Sequence, residues 1–164
     1  MVHELWWSDD LVEEATRVRD DVEVTLAGLG IQGEVVLTGA LSVPGALTRG
    51  DVDLHLRVAP GSFDDVVTRL RAVYPVASPR AWADTLAVFA VPRPRPTGLA
   101  VTPLGSEHDE RFRIAWRALH ADPALLASYN ALKSQSVGTT DYEDRKSRFF
   151  TSVVEAWPDR SAAP

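Results

Sequence analysis

The sequence predicts an α+β fold, a mixed sheet flanked by helices and followed by a C-terminal helical segment. Two observations carry that expectation. Apolar or alternating runs bounded by glycine and proline fall before Ser106, and nearly everything after it has helical spacing. The length, 164 residues, suits one compact unit: an α/β core over residues 1–105 with a helical segment, 106–164, packed on it.

The elements follow in order. Glu4–Trp7 reads as a short edge strand. A helix starts after Ser8, with Asp10 and Glu13 at capping-box spacing and acid in its first turn. Leu11, Ala15, Val18, Val22, Leu26 and Leu29 recur on one face of it, and Gly28, Gly30 and Gly33 end it. Glu34–Leu37 is a β-branched strand. From 51 to 58, Asp51, Asp53, His55 and Arg57 alternate with Val52, Leu54, Leu56 and Val58. A helix opens at Ser62 and runs to about Tyr74. Trp82–Val91 reads as a strand, Pro92–Gly98 as a stiff solvated turn carrying Arg93 and Arg95, and Leu99–Leu104 as the strand that closes the hairpin. Helices follow over Glu107–Ala121, from Pro123 to about Ser136, and from Thr139 or Thr140 to Trp157, the last with a Thr140–Glu143 capping box. The tail from Pro158 is expected to fray.

Composition excludes several classes. The net charge of −6 disfavours extended nucleic acid as a partner. The absence of cysteine rules out disulfides, thiolate metal sites and a cysteine nucleophile. No signal peptide or membrane-length apolar run is apparent, so a cytoplasmic protein without a membrane partner is expected. Walker, dinucleotide-binding and nucleophile-elbow patterns are missing.

The chemistry concentrates in residues 35–58, VVLTGALSVPGALTRGDVDLHLRV. Carboxylates two apart on a strand lie about 7 Å from each other. They stay ionised together at low cost when a cation sits between them. Magnesium, held by one or two carboxylates plus substrate phosphates, suits such a pair. Gly39 and Gly45 would let backbone approach phosphate, and Arg49 would offset its charge. His55 is a candidate metal ligand or general base. The bland alternative is a half-exposed strand with one polar face. On the C-terminal helices, Tyr129 with Lys133 and Tyr142 with Lys146 stand at i, i+4. Those lysines either reach a triphosphate or extend into water over packed tyrosines. His108 and His120 read as surface residues, and Trp82 or Trp116 as a pocket wall.

Residues 38–54, TGALSVPGALTRGDVDL, resemble the signature of the GrpB family, a branch of the nucleotidyltransferase superfamily. Gly39, Val43, Pro44, Gly45 and Asp53 coincide with it, and Arg49 stands where the family has lysine. Pro123, Tyr129 and Lys133, then Tyr142, Lys146 and Phe149, match two further family patterns. The resemblance implies a nucleotidyltransferase-like fold and a magnesium-dependent transfer of a nucleoside monophosphate from a nucleoside triphosphate to a small-molecule acceptor. Asp51, Asp53 and His55 would be catalytic, with metal on Asp51 and Asp53. Gly39, Ala40, Ser42, Arg49, Tyr129, Lys133, Tyr142 and Lys146 would bind nucleotide and phosphate.

The departures are specific. Ala40 replaces the serine of the glycine–serine pair. The carboxylate pair is either Asp51 with Asp53, or Asp53 acting with His55. A third carboxylate is missing from Leu99–Thr102, Ala100 stands where histidine is frequent, and Asp84 would serve only in a different strand register. These losses leave two alternatives: a catalytically inactive nucleotide- or ligand-binding module, or a metal-independent enzyme acting on a small organic substrate in the same cleft.

Overall fold

The computed structural model describes residues 4–157. Along the chain run β1 (Trp6–Trp7), α1 (Ser8–Gly28), β2 (Glu34–Thr38), β3 (Leu47–Thr48), β4 (Val52–Val58), α2 (Phe63–Arg71), β5 (Ala87–Ala90), β6 (Thr97–Pro103), α3 (Glu107–Ala121), α4 (Pro123–Ser136) and α5 (Tyr142–Glu155). Four strands form a mixed sheet in the order β2-β4-β6-β5. Central β4 is antiparallel to β2 and parallel to β6, and β5 closes the far edge antiparallel to β6. β1 and β3 form a separate two-stranded ribbon.

The alternation in β4 divides the molecule into layers. Val52, Leu54, Leu56 and Val58 face a core completed by Ala15, Val22 and Leu26 of α1 and Phe63, Val66 and Leu70 of α2. Each fully buried large aliphatic side chain contributes about 1.5–3 kcal/mol. The opposite face is covered as well. His55 and Arg57 lie under α3, where the His55 and Phe112 rings are 5.0 Å apart and Arg57 Nε donates to Asp109 Oδ1 at 2.6 Å. Helices thus flank both faces, and the polar side of β4 is not the solvated face that its sequence suggests. A second hydrophobic cluster joins the loop between β2 and β3 (Ala40, Val43, Ala46) to Ala115 and Leu119 of α3, Tyr129 of α4 and Phe150 of α5.

Several boundaries differ from the sequence expectation for local reasons. α1 starts one residue earlier, at Ser8, and has no side-chain cap. Ser8 is buried, and its Oγ donates to the Val43 carbonyl while accepting from the Ala46 amide. The Asp10–Glu13 capping box therefore does not form. α5 starts at Tyr142 without the Thr140–Glu143 box; Thr139 Oγ1 bonds the Ser136 carbonyl and Asp141 instead. α2 stops at Arg71. The strand expected over Trp82–Val91 shrinks to Ala87–Ala90, because the Trp82 indole folds back to donate to the Ala77 and Val88 carbonyls. Arg93 and Arg95 are not free in solvent: they pair with Asp21 and Glu14 and tie the proline turn to α1. The tail from Pro158 lies outside the described residues. Among the described residues no helix is long and apolar enough to cross a membrane.

Candidate active-site cleft

Asp53 sits near the start of β4, opposite Thr38 on β2 and beside Gly98 on β6. Gly39 has φ +70°, and a Cβ there would lie 2.4 Å from Asp53 Oδ2. On the other side, a Cβ on Gly98 would lie 3.7 Å from Asp53 Oδ1. The carboxylate is thus slotted between two residues without side chains. Asp51 immediately precedes β4, turned there by Gly50 at φ +91°. Asp51 and Asp53 flank buried Val52 and line the same cleft.

Both carboxylates open into a cleft of about 130 Å³. The sheet side adds Ala40 and Arg49 to its wall; α4 adds Tyr129 and Lys133, and α5 adds Tyr142 and Lys146. Neither Asp51 nor Asp53 forms an ion pair among the described residues. Asp53 remains open to solvent through the cleft, yet protein surrounds it at longer range. That enclosure, and then Asp51, raise its carboxyl to about 6, against the pull of Lys146 and Lys133. Lys133 is buried, donates to the Leu47 carbonyl at 3.1 Å and lies 4.9 Å from the Tyr129 ring centre. Burial, then Lys146, lower its ammonium to about 8, while Asp53 and Asp51 oppose the fall. Burial and then Glu143 push Tyr142 up to about 12. Lys146 stands 3.1 Å from Glu143.

A second cavity of about 400 Å³ adjoins the first, sharing Asp53, Trp116, Glu143 and Lys146. It includes Gly39, and its walls are largely apolar, with Phe112 and Phe150 prominent.

Three expected residues do not reach the cleft wall in the role foreseen. His55 turns into the sheet–α3 interface, 2.7 Å from Thr102 Oγ1 and 3.7 Å from Asp109 Oδ1. Burial lowers its imidazole to about 4, so it is neutral at physiological pH. Ser42 Oγ donates to the Gly39 carbonyl at 2.6 Å and braces the turn. The Gly45 amide is committed to Asp9 Oδ2 at 2.8 Å, so Gly45 anchors the loop to α1. Asn130 pins the same loop from α4, accepting from the Leu47 amide and donating to the Gly45 carbonyl. Gly98 and Ala100 occupy the β6 positions beside Asp53 and His55, so no acid comes from that strand. Asp84 lines a different cavity, with Trp82 and Phe63. No group of three or more metal-ligating His, Cys, Asp or Glu side chains occurs among the described residues.

Glu143, Arg111 and Phe112 were not among the expected site residues, and His108 was expected on the surface. His108 lines the larger cavity and bonds Thr85 Oγ1 at 2.7 Å. His108, Arg111, Phe112, Ala115 and Trp116 fall on one face of α3 at i, i+3, i+4, i+7 and i+8, a pattern that was legible in the sequence.

These features define an α+β protein whose mixed sheet offers a carboxylate pair to a cleft closed by C-terminal helices. The chain belongs to the GrpB family: the family model described as GrpB protein matches residues 3–156. The crystal structure of conserved protein GrpB from Enterococcus faecalis is similar, with a TM-score of 0.70 and 13% identity over 95% of this chain and 100% of that one. A chain in the structure of the GLD-2/RNP-8 complex is similar at a TM-score of 0.52 and 14% identity, over 89% of this chain and 57% of that one. At such identities the likeness shows the fold alone. Comparison with curated proteins finds no match.

Proposed function

We propose that the cleft binds a nucleoside triphosphate with magnesium and transfers its nucleoside monophosphate to a small-molecule acceptor. The observation carrying this reading is the meeting of the Asp51–Asp53 pair with three cations, Arg49, Lys133 and Lys146, in one cleft of a chain whose net charge is −6. The likeness in fold to the GrpB and GLD-2/RNP-8 structures supports a nucleotidyltransferase-like architecture.

The donor set fits magnesium. Burial and then the neighbouring Asp51 raise the carboxyl of Asp53, neither acid has an ion-pair partner among the described residues, and a divalent cation held between them would offset both effects. Bound there, magnesium would neutralise triphosphate charge and polarise the reacting oxygens. The chain's own residues hold and orient the ligand. Arg49, Lys133 and Lys146 neutralise phosphate oxygens, and the Gly39–Ala40 turn admits phosphate close to backbone. An acceptor hydroxyl oxygen then bonds to the α-phosphorus as the bond to the bridging oxygen breaks. Pyrophosphate leaves, and the hydroxyl proton passes to solvent. Positioning and charge compensation supply the rate.

A second reading, nucleotide binding without transfer, is favoured by Gly98, Ala100 and Ala40 standing where a third carboxylate and a hydroxyl are expected. A thermal-shift panel of the four nucleoside triphosphates with and without magnesium, followed by pyrophosphate release, separates the two. Magnesium-dependent stabilisation with pyrophosphate release that Asp53→Asn abolishes supports transfer. Stabilisation without release supports binding alone, and no shift with any nucleotide removes both.

A further inference from the structure

The larger cavity has a composition unlike the triphosphate cleft, and its placement is informative. At about 400 Å³ it falls in the range of pockets that enclose a small organic molecule. Trp116, Phe112 and Phe150 give it aromatic walls, and Val88 and Leu86 of the β5 region extend the apolar surface. Polar side chains gather at two ends of that lining, Glu143 and Lys146 with Asp53 at one and His108 with Arg111 at the other. Asp53 stands at the junction with the triphosphate cleft, beside Trp116, which borders both cavities. Arg111 stands nearer the start of α3. The eight helical steps from His108 to Trp116 span about 12 Å, a length suited to one ring with its substituents.

Arg111 is the unexplained charge. It is half-buried and donates through Nη2 to Thr151 Oγ1 at 3.1 Å. It forms no ion pair among the described residues. A guanidinium held beside aromatic walls without a carboxylate is suited to a ligand that brings one.

We propose that this cavity is the acceptor site and takes a small aromatic acid, its carboxylate at Arg111, its ring between Trp116, Phe112 and Phe150, and its hydroxyl directed to the Asp53 end. The assignment of the hydroxyl rests on the transfer reading of the preceding subsection; the recognition of the aromatic acid does not.

The test uses the full chain with 4-hydroxybenzoate, phenol and a short aliphatic hydroxy acid, titrated without nucleotide by calorimetry or ligand-detected NMR. 4-Hydroxybenzoate is expected to bind at least tenfold more tightly than either comparison compound. Arg111→Ala should weaken it about tenfold while leaving phenol unchanged, the scale of one lost charge-assisted contact. Val88→Phe, which fills the cavity from a half-buried edge-strand position, should abolish binding without lowering the melting temperature. Equal affinity for the three compounds, or an Arg111→Ala protein that binds as wild type does, overturns the proposal. Selective binding with no pyrophosphate release upholds the cavity and counts against transfer alone.

Discussion

Replacing Gly39 with alanine tests the construction of the site at its tightest point. Gly39 has φ +70° and ψ −168°, a backbone region essentially reserved for glycine. Holding an alanine there costs about 1–3 kcal/mol. The new Cβ would also stand 2.4 Å from Asp53 Oδ2, far inside contact distance, so the carboxylate must swing or the turn must open. For a chain of this size each kcal/mol shifts the melting temperature by about 2–4 °C, giving an expected fall of about 2–12 °C. The assay is thermal melting with and without magnesium and nucleoside triphosphate, with Gly28→Ala as the control. A Cβ at Gly28 meets nothing within 4 Å, so that variant should melt at or slightly above wild type. Gly39→Ala should lose both stability and its response to magnesium–nucleotide. A Gly39→Ala protein that melts and responds as wild type does would refute the claim that this glycine positions Asp53.

The remaining predictions concern charge. Asp53 is raised from 3.8 to about 6, so the folded state holds more protons than the unfolded one between those values; its stabilising share is whole below pH 3.8 and is lost as pH rises through 6. In chelator, Asp53→Asn should therefore melt higher than wild type at pH 7, by about 1 kcal/mol after solvent screening, and equally at pH 3.5. Identical pH profiles for the two proteins would contradict this. His55 has the opposite sign: held at about 4 instead of 6.5, it stabilises above pH 6.5 and loses that contribution as pH falls towards 4, an effect of up to about 3 kcal/mol. His55→Gln should flatten the acid limb of a denaturant-midpoint profile yet keep the nucleotide response, since His55 lies outside the cleft; loss of that response would place it in the site. Lys133→Met should weaken triphosphate binding about tenfold or more in a calorimetric titration, and unchanged affinity would remove Lys133 from the phosphate group.

Much of this arrangement was legible because its signals are local. The 3.6-residue period fixed α3 and α4, and proline at the start of α4 marked its boundary to the residue. The Asp-x-Asp run and the paired Tyr–Lys spacings named six of the residues that line the smaller cleft. What failed was decided by tertiary partners. His55 has the same alternation as Asp53, yet α3 covers one and leaves the other open, and nothing within β4 distinguishes them. Ser8 reads as a helix boundary, but its hydroxyl is taken by a loop 35 residues away. Trp82 reads as a strand residue until its indole finds two carbonyls. The glycines around Asp53 show the same limit: Gly39 was expected to make room for phosphate, and the structure shows that it first makes room for a side chain.

The parallel pairing of β4 with β6, and the reach of Lys133 back across 86 residues to the Leu47 carbonyl, bear on how this protein is born. A ribosome that has released residues 1–60 has delivered both acids and β2, but neither the parallel neighbour β6 nor the lysines opposite. The nascent chain thus carries the anionic pair without its opposing cations for much of its synthesis, and the cleft is walled only when α4 and α5 have emerged and folded back.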